Sequence, residues 1–330
     1  MVNKLFTIVS DSFNPYYNIA LEKHLFDSVD DESVILYLWQ NERTVVCGRN
    51  QNVWKECRVS ELLAEHGHPA RRLSGGGAVF HDLGNLNFTF LVTAKNYDVN
   101  RQLEVIIKAC KLLGIDAKKT GRNDITVDGH KFSGNAFYKS GSHRYHHGTL
   151  MVSVDMSRLS TYLNVDPSKL KSKGVDSVRS RVVNLSEYNS TLTIDMMKEK
   201  MVEAAQMVYD LKAIPFDISK TDADTIKEYE TKFGSDEWLY GRRLPFEYRI
   251  NHRFTWGDFD LNVNVNAGII ETSELYSDAN DEAFIRMIAS QLEGKPFAYK
   301  ELSELIDSCI VTEENKTMAE DIKKLLFEAI

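Results

Sequence analysis

The stretch Ile125-Thr126-Val127-Asp128-Gly129-His130-Lys131-Phe132-Ser133-Gly134-Asn135-Ala136-Phe137-Tyr138 decides the fold class. Asp-Gly is the strongest two-residue hairpin dipeptide, because both central positions of the turn need positive φ. A short β-prone run precedes it and a second runs on to Tyr138. Ser140-Gly141-Ser142 then offers another turn, and the chain returns from Tyr145 to Val154. Strands joined by turns this short run antiparallel, so doubly wound parallel order is not supported. With helical segments interspersed, the expectation is an α+β fold built on a large mixed sheet.

Upstream, residues 4–9 read as a strand, and Asn14-Pro15 as a helix start with asparagine as cap and proline in the first turn. Tyr16, Ile19, Ala20, Lys23 and Phe26 keep helical spacing, with Asn18 and Glu22 one turn apart on a neighbouring face. Strands are expected over 34–39 and 44–48 around the turn Gln40-Asn41-Glu42, and a short helix over 58–66. Phe88, Phe90 and Val92 alternate with Asn87, Thr89 and Leu91 in a core strand, and an amphipathic helix over 100–113 ends at Gly114. Downstream, Ser168-Lys169-Leu170-Lys171-Ser172-Lys173-Gly174 has little to bury and reads as a movable surface loop. Helices over 193–211 and 222–233, strands over 249–256 and 258–265, and helices from Asp281, Ala298 and Glu313 complete the chain. The domain boundary is placed near 245, giving domains 1–244 and 245–330; 330 residues are long for one core.

A net charge of −8 argues against general nucleic-acid binding. The four cysteines, Cys47, Cys57, Cys110 and Cys309, are scattered and form no CxxC pair, so neither a disulfide framework nor a zinc site is expected. No secretory signal core and no run of about 20 apolar residues is present, so a cytoplasmic protein without membrane spans is expected.

Chemistry concentrates in Arg71-Arg72-Leu73-Ser74-Gly75-Gly76-Gly77-Ala78-Val79-Phe80-His81-Asp82. Glycines allow close backbone approach, and two arginines add fixed positive charge, so the stretch describes an anion cradle. The alternative is an exposed glycine turn beside two surface arginines. It is neither a P-loop nor a GxGxxG fingerprint. In an extended strand Lys131 and Ser133 share a face, and Gly134 admits something close. His146 and His147 fall on opposite strand faces and cannot easily share a metal; no metal site is expected. Arg179 and Arg181, two apart, either point together in an extended segment or form a solvated face.

Taken in order, these stretches resemble the lipoate-protein ligase family. The resemblance runs from Asp11-Ser12-Phe13-Asn14-Pro15 through the glycine loop to Asn85, then Gly121-Arg122-Asn123-Asp124, Lys131-Phe132-Ser133-Gly134, His146-His147-Gly148-Thr149-Leu150, Lys173 to Val182, and Arg253-Phe254-Thr255-Trp256-Gly257. It implies a catalytic domain of the biotin/lipoate ligase type with a smaller C-terminal α+β accessory domain. It implies that lipoate and ATP give lipoyl-AMP and pyrophosphate, and that the lipoyl group then passes to a lysine of an apo lipoyl domain. The acceptors implied are E2 subunits of 2-oxoacid dehydrogenases and the glycine-cleavage H protein. Mg2+ would arrive with ATP, and a monomer is the simplest expectation. By the same resemblance Lys131 bridges carboxylate and α-phosphate. Asn14, Asn18, Glu22, Arg71, Ser74, Gly75, Gly76 and His81 belong to the lipoyl site. Gly77, Ala78, Asn85, Asp124, His147, Arg179 and Ser180 face the nucleotide. No cysteine lies between His147 and Lys173, which disfavours the related octanoyltransferases with their acyl-cysteine. A transferase fed with activated acyl donor and a non-catalytic lipoate-binding module are the remaining alternatives.

Overall fold

In the computed structural model, which describes residues 2–120, 124–163, 182–240, 246–279 and 281–330, Asp128 and Gly129 both take positive φ, 49° and 81°. This turn folds β8 (Asp124–Val127) back on β9 (His130–Ser140), and a second turn at Gly141, φ 52°, pairs β9 with β10 (His143–Met151). β10 continues antiparallel to β6 (Asn85–Thr93), and β6 to β2 (Ser33–Trp39). The far edge is parallel: β1 (Lys4–Val9) lies between β2 and β11 (Ala213–Pro215). Parallel neighbours need a crossover, and the helix Pro15–Ser28 supplies it between β1 and β2. With β7 (Ala117–Thr120) at the other edge, the eight-stranded mixed sheet has the order β11-β1-β2-β6-β10-β9-β8-β7. A separate three-stranded sheet joins β3 (Thr44–Cys47) to β4 (His68–Arg71) and β5 (Val79–His81). The fold is α+β, as expected.

Every residue of β6 is buried, because both faces of the sheet are covered. On one face Leu86, Phe88 and Phe90 join Leu36 and Leu38 of β2 in a core with Leu103, Ile106 and Ala109 of the helix Val99–Leu112 and Met197, Met201 and Ala204 of the helix Ile194–Tyr209. Asp98 caps the first of these helices by accepting from Arg101 N, and Gly114 follows it at φ 77°. Because strand side chains alternate, the opposite face carries Tyr37, Trp39, Asn87, Thr89, Tyr145 and His147. The helix Pro15–Ser28 packs there, capped by Asn14, whose side chain accepts from Tyr16 N and Tyr17 N.

By contact, residues 1–51 and 67–234 form one compact unit, and residues 52–66 and 235–330 another. In the second unit β12 (Phe246–Phe254), β13 (Gly257–Asn266) and β14 (Ile269–Tyr276) form an antiparallel sheet. Phe284, Ile288, Phe297, Leu302 and Ile322 supply its core, and Trp54 stacks on Tyr240 at 4.6 Å. No described helix is long and apolar enough to cross a membrane.

His146 sits on the face covered by the helix Val99–Leu112, fully buried, with Nε2 2.7 Å from Asn135 Oδ1 and Nδ1 3.2 Å from Gln102 Oε1. Burial first, and then the nearby charge of Lys119, lowers its pKa from 6.5 to about 3. The folded state holds it neutral while the unfolded chain takes up a proton below 6.5. The stability it carries is therefore complete above that pH and is lost as the pH falls toward 3, at about 1.4 kcal/mol per pH unit. Urea midpoints measured on both sides of neutrality should show a steeper acid-side fall in the parent than in His146→Gln; equal slopes would mean the ring is protonated in the folded state.

Candidate active site

The face of the main sheet that carries Trp39, Thr89 and His147 lines a cavity of about 210 Å³ together with the helix Pro15–Ser28 and the glycine loop between β4 and β5. Ile19, Trp39, Val46, Val79 and Ala136 give it apolar walls, and Glu22, Arg72, His81, Asn87, Lys131, His147 and Thr149 supply polar groups. Backbone at Gly76, Gly77, Gly134 and Gly148 closes the remainder.

The buried polar side chains form one chain of hydrogen bonds. Glu22, wholly buried on the helix, accepts at Oε1 from Thr89 Oγ1 (2.7 Å) and from His147 Nδ1 (2.9 Å). Thr89 accepts in turn from Trp39 Nε1 at 3.1 Å. A carboxylate only accepts, so Nδ1 of His147 carries a hydrogen, and Nε2 of the same ring lies 2.7 Å from the Ser74 hydroxyl. Ser74 accepts from Arg72 Nε at 3.1 Å. The guanidinium of Arg72 goes on to donate to the carbonyls of Val46 (3.0 Å), Gly75 (2.8 Å) and Gly77 (2.7 Å). The arginine is thus a clasp on the loop, the opposite of a charge held out to an anion. Burial lowers its pKa, but from so high a value that it stays charged. Arg71 acts likewise: its Nη1 donates to the carbonyls of Gly48, Arg49 and Gln51 at 2.7–3.2 Å.

His81 is held neutral, its pKa pushed down to about 3 by burial first and then by the charge of Arg72. Its Nδ1 lies 3.2 Å from Asn41 Nδ2.

Lys131 reaches the cavity through an irregularity of the sheet. Thr126 pairs with Lys131 but Ile125 with Ser133, so β9 carries one extra residue there. The bulge re-aims the side chains around it. Ser133 turns away from the cavity and is fully buried, whereas Lys131 and Gly134 both line it. The strand rule therefore misassigned Lys131 and Ser133 to one face. A Cβ on Gly134 would stand 3.1 Å from Lys131 Nζ, so the glycine is the floor under the ammonium. Asp124 Oδ1 lies 2.7 Å from Nζ but off its own hydrogen-bonding direction, so the contact is ionic rather than a directed hydrogen bond.

Residues 14–206 match the family model described as lipoyl protein ligase A/B catalytic domain, and residues 244–326 match bacterial lipoate protein ligase C-terminus. Lipoate-protein ligase A of Bdellovibrio bacteriovorus is 38% identical over 304 residues, 90% of this chain and 89% of that protein. Lipoate-protein ligase A of Psychrobacter cryohalolentis is 39% identical over 297 residues, 88% of each chain. The chain belongs to the lipoate-protein ligase family. Among solved structures, P. falciparum LipL1 in complex with lipoate superposes with a TM-score of 0.63 at 28% identity, covering 98% of this chain and 99% of that one. The bipartite lipoate protein ligase of Thermoplasma acidophilum, described with its E2 lipoyl domain, shares the fold with a TM-score of 0.65 at 24% identity, over 72% of this chain and 96% of that one.

Within this ligase-family cavity the structure brings together Glu22, Gly76, Gly77, Ala78, His81, Lys131 and His147 of the residues expected from sequence. Ser74 stands directly behind His147, Asp124 is the partner of Lys131, and Asn85 is buried, donating to Asn87 Oδ1 at 3.0 Å. Asn14 is an exposed helix cap. Asn18 is wholly buried behind the wall, its Nδ2 donating to Ser12 O, Gln40 O and Asn41 Oδ1 and its Oδ1 accepting from Ser10 and Tyr37. Gly75 is exposed. Arg179, Ser180 and the lysine-rich stretch before them lie outside the described residues. Sequence reasoning read Arg72 as charge held out to an anion, where the structure turns it onto the loop, and it passed over Trp39, Asn87 and Thr149 as site residues. Asn87 and Thr149 could have been found by extending the two-residue period from Thr89 and His147.

Of the three loop glycines only Gly76 takes positive φ, 91°. The tight approach is elsewhere: a Cβ on Gly48 would lie 2.1 Å from Gly76 O, while one on Gly75 would meet nothing within 4 Å. Gly48→Ala should therefore cost about 1–3 kcal/mol and Gly75→Ala well under that. Urea unfolding of the pair checks the difference, and equal midpoints would remove the packing role of Gly48.

Proposed function

We propose that this cavity is where lipoate and ATP meet, and that Lys131 carries the charge stabilisation for joining them. The protein activates lipoate with ATP to lipoyl-AMP and transfers the lipoyl group to a lysine of an apo lipoyl domain. The observation that supports the assignment most is the Lys131 ammonium held at the cavity wall over Gly134 with a carboxylate, Asp124, at 2.7 Å.

In the first step a carboxylate oxygen attacks the α-phosphorus and the bond to pyrophosphate breaks. Two anions must approach, so fixed positive charge at the contact is the main requirement. The other cation lining the cavity, Arg72, is engaged with Ser74 and three carbonyls. Among the described residues the Lys131 ammonium has one ionic partner, the Asp124 carboxylate, which a substrate anion can replace. In the second step the acceptor lysine attacks the carbonyl carbon and AMP leaves, so the enzyme needs no nucleophile of its own. The cysteines agree with this: all four are buried, and none lines the cavity. Burial pushes the Cys110 thiol up to about 12.

The acyl chain takes the wall of Ile19, Trp39, Val46 and Val79, with Glu22, Gly76 and His81 beside it. Gly77, Ala78, Asn85, Asp124 and His147 serve the nucleotide side. Asn14, Asn18, Arg71, Ser74 and Gly75 support these from behind or beside. No group of three or more metal-ligating side chains stands among the described residues. Mg2+ enters with ATP, since magnesium keeps its waters and phosphate ligands and asks for only one or two carboxylates; Asp124 is the carboxylate beside Lys131. Residues 1–244 carry catalysis and 245–330 are accessory. The partners are lipoyl domains of E2 subunits and of the glycine-cleavage H protein, met in the cytoplasm by a monomer.

Lys131→Ala should lower lipoate-dependent pyrophosphate release about a hundred- to a thousandfold with an unchanged thermal midpoint, because the side chain is partly exposed. Gly134→Ala, which lifts the ammonium rather than removing it, should cost about ten- to a hundredfold. Undiminished release in Lys131→Ala removes the central assignment.

A further inference from the structure

Sheet register sets four residues of the cavity wall in one row. Trp39 of β2 stands opposite Asn87 of β6, and Asn87 opposite Thr149 of β10. Pairing of β10 with β9 ends at Gly148 and Asn135, so Gly134 is the residue level with Thr149. All four line the cavity, and so does Lys131, whose ammonium lies over Gly134. With strands about 5 Å apart, Thr149 stands roughly 10 Å along the row from Trp39. It is the last side chain of the row before the lysine.

Where the ladder stops, the Thr149 side chain takes its place: Gly134 N donates to Oγ1 at 3.3 Å. Among the described residues Thr149 makes this one side-chain hydrogen bond. A hydroxyl carries one hydrogen and two lone pairs. Since Oγ1 accepts from the amide, its hydrogen is left to donate, and the half-buried side chain offers it to the cavity. A Cβ on Gly134 would stand 3.1 Å from Lys131 Nζ and 3.9 Å from Thr149 Oγ1. Ammonium and hydroxyl therefore face the same spot.

We propose that Thr149 is a further catalytic residue, whose hydroxyl donates, beside Lys131, to the acyl oxygen of the bound acid and of its adenylate. The inference rests on the reading of the cavity as the place where lipoate and ATP meet. An acyl chain lying along the row from Trp39 brings its carbonyl carbon between Thr149 and Lys131. In the transfer step the acceptor amine adds its electron pair to that carbon, and the carbonyl π pair moves onto the oxygen. The pair returns as the bond to AMP breaks, and the proton of the amine passes to solvent. Full negative charge sits on the oxygen only between those events, so a donor already aimed at it lowers that barrier most. Lys131 divides its charge between this oxygen and the phosphate; the hydroxyl serves the acyl oxygen.

Preformed lipoyl-AMP given to the full chain with an apo lipoyl domain, followed by intact mass in a single turnover, tests this. Thr149→Val and Thr149→Ala should each transfer about a hundredfold more slowly than the parent, and Thr149→Ser should recover most of the rate. Thermal midpoints near the parent's report that the fold is kept. The carbonyl stretch of isotope-labelled lipoyl-AMP bound to the parent or to Thr149→Ser should lie at lower frequency than in the two variants without a hydroxyl. Freeing the Gly134 amide does not touch that carbonyl, so a merely structural role would leave the stretch in place. Parent-like transfer by Thr149→Val, or an unshifted stretch, overturns the proposal while the ligase reading stands. No transfer by the parent removes the ligase reading and the proposal with it.

Discussion

A carboxylate buried without solvent has to be satisfied by neighbours, and Glu22 is buried completely under the main sheet. Its Oε1 draws Thr89 and His147 onto one point, and through them it sets Trp39 on one side and Ser74 and Arg72 on the other. Helix, central strands and glycine loop are thereby tied into one polar network. Such a network is costly when half satisfied and specific when complete. The wall of the cavity follows from it: the indole, the imidazole and the loop backbone each owe their orientation to a bond that leads back to the same carboxylate.

The glycine loop gains its shape from inside. Arg72 binds the carbonyls of Gly75 and Gly77, and Gly48 lets Gly76 approach as no other residue would. Among the described residues that line the cavity, the arginine charge is turned onto the backbone, while the lysine ammonium meets the carboxylate of Asp124. The division is physical: a rigid, delocalised guanidinium serves as a clamp, and a flexible ammonium serves as a movable point charge.

Much of this was legible in the residues. Asp128-Gly129 and Gly141 announced the hairpins that exclude a doubly wound sheet, and Asn14-Pro15 announced the helix that carries Glu22. Three things were not. Strand β3 reads as a hairpin partner of β2, yet it belongs to another sheet, because short apolar strands carry no label for their partner. The bulge at Phe132 moves Lys131 out of phase with Ser133, and nothing in local propensity signals one extra residue. Arginines beside glycines look the same whether they greet a ligand or hold the loop. What decides is the position of the loop carbonyls, a property of the folded backbone.

The central claim is that this cavity joins an acid to ATP before the acyl group reaches a partner lysine. The most direct measurement is the intact mass of an apo lipoyl domain incubated with the protein and lipoate, with and without ATP. Addition of one lipoyl group only when ATP is present is the predicted result. Modification without ATP, or modification only when preformed lipoyl-AMP is supplied, would contradict it.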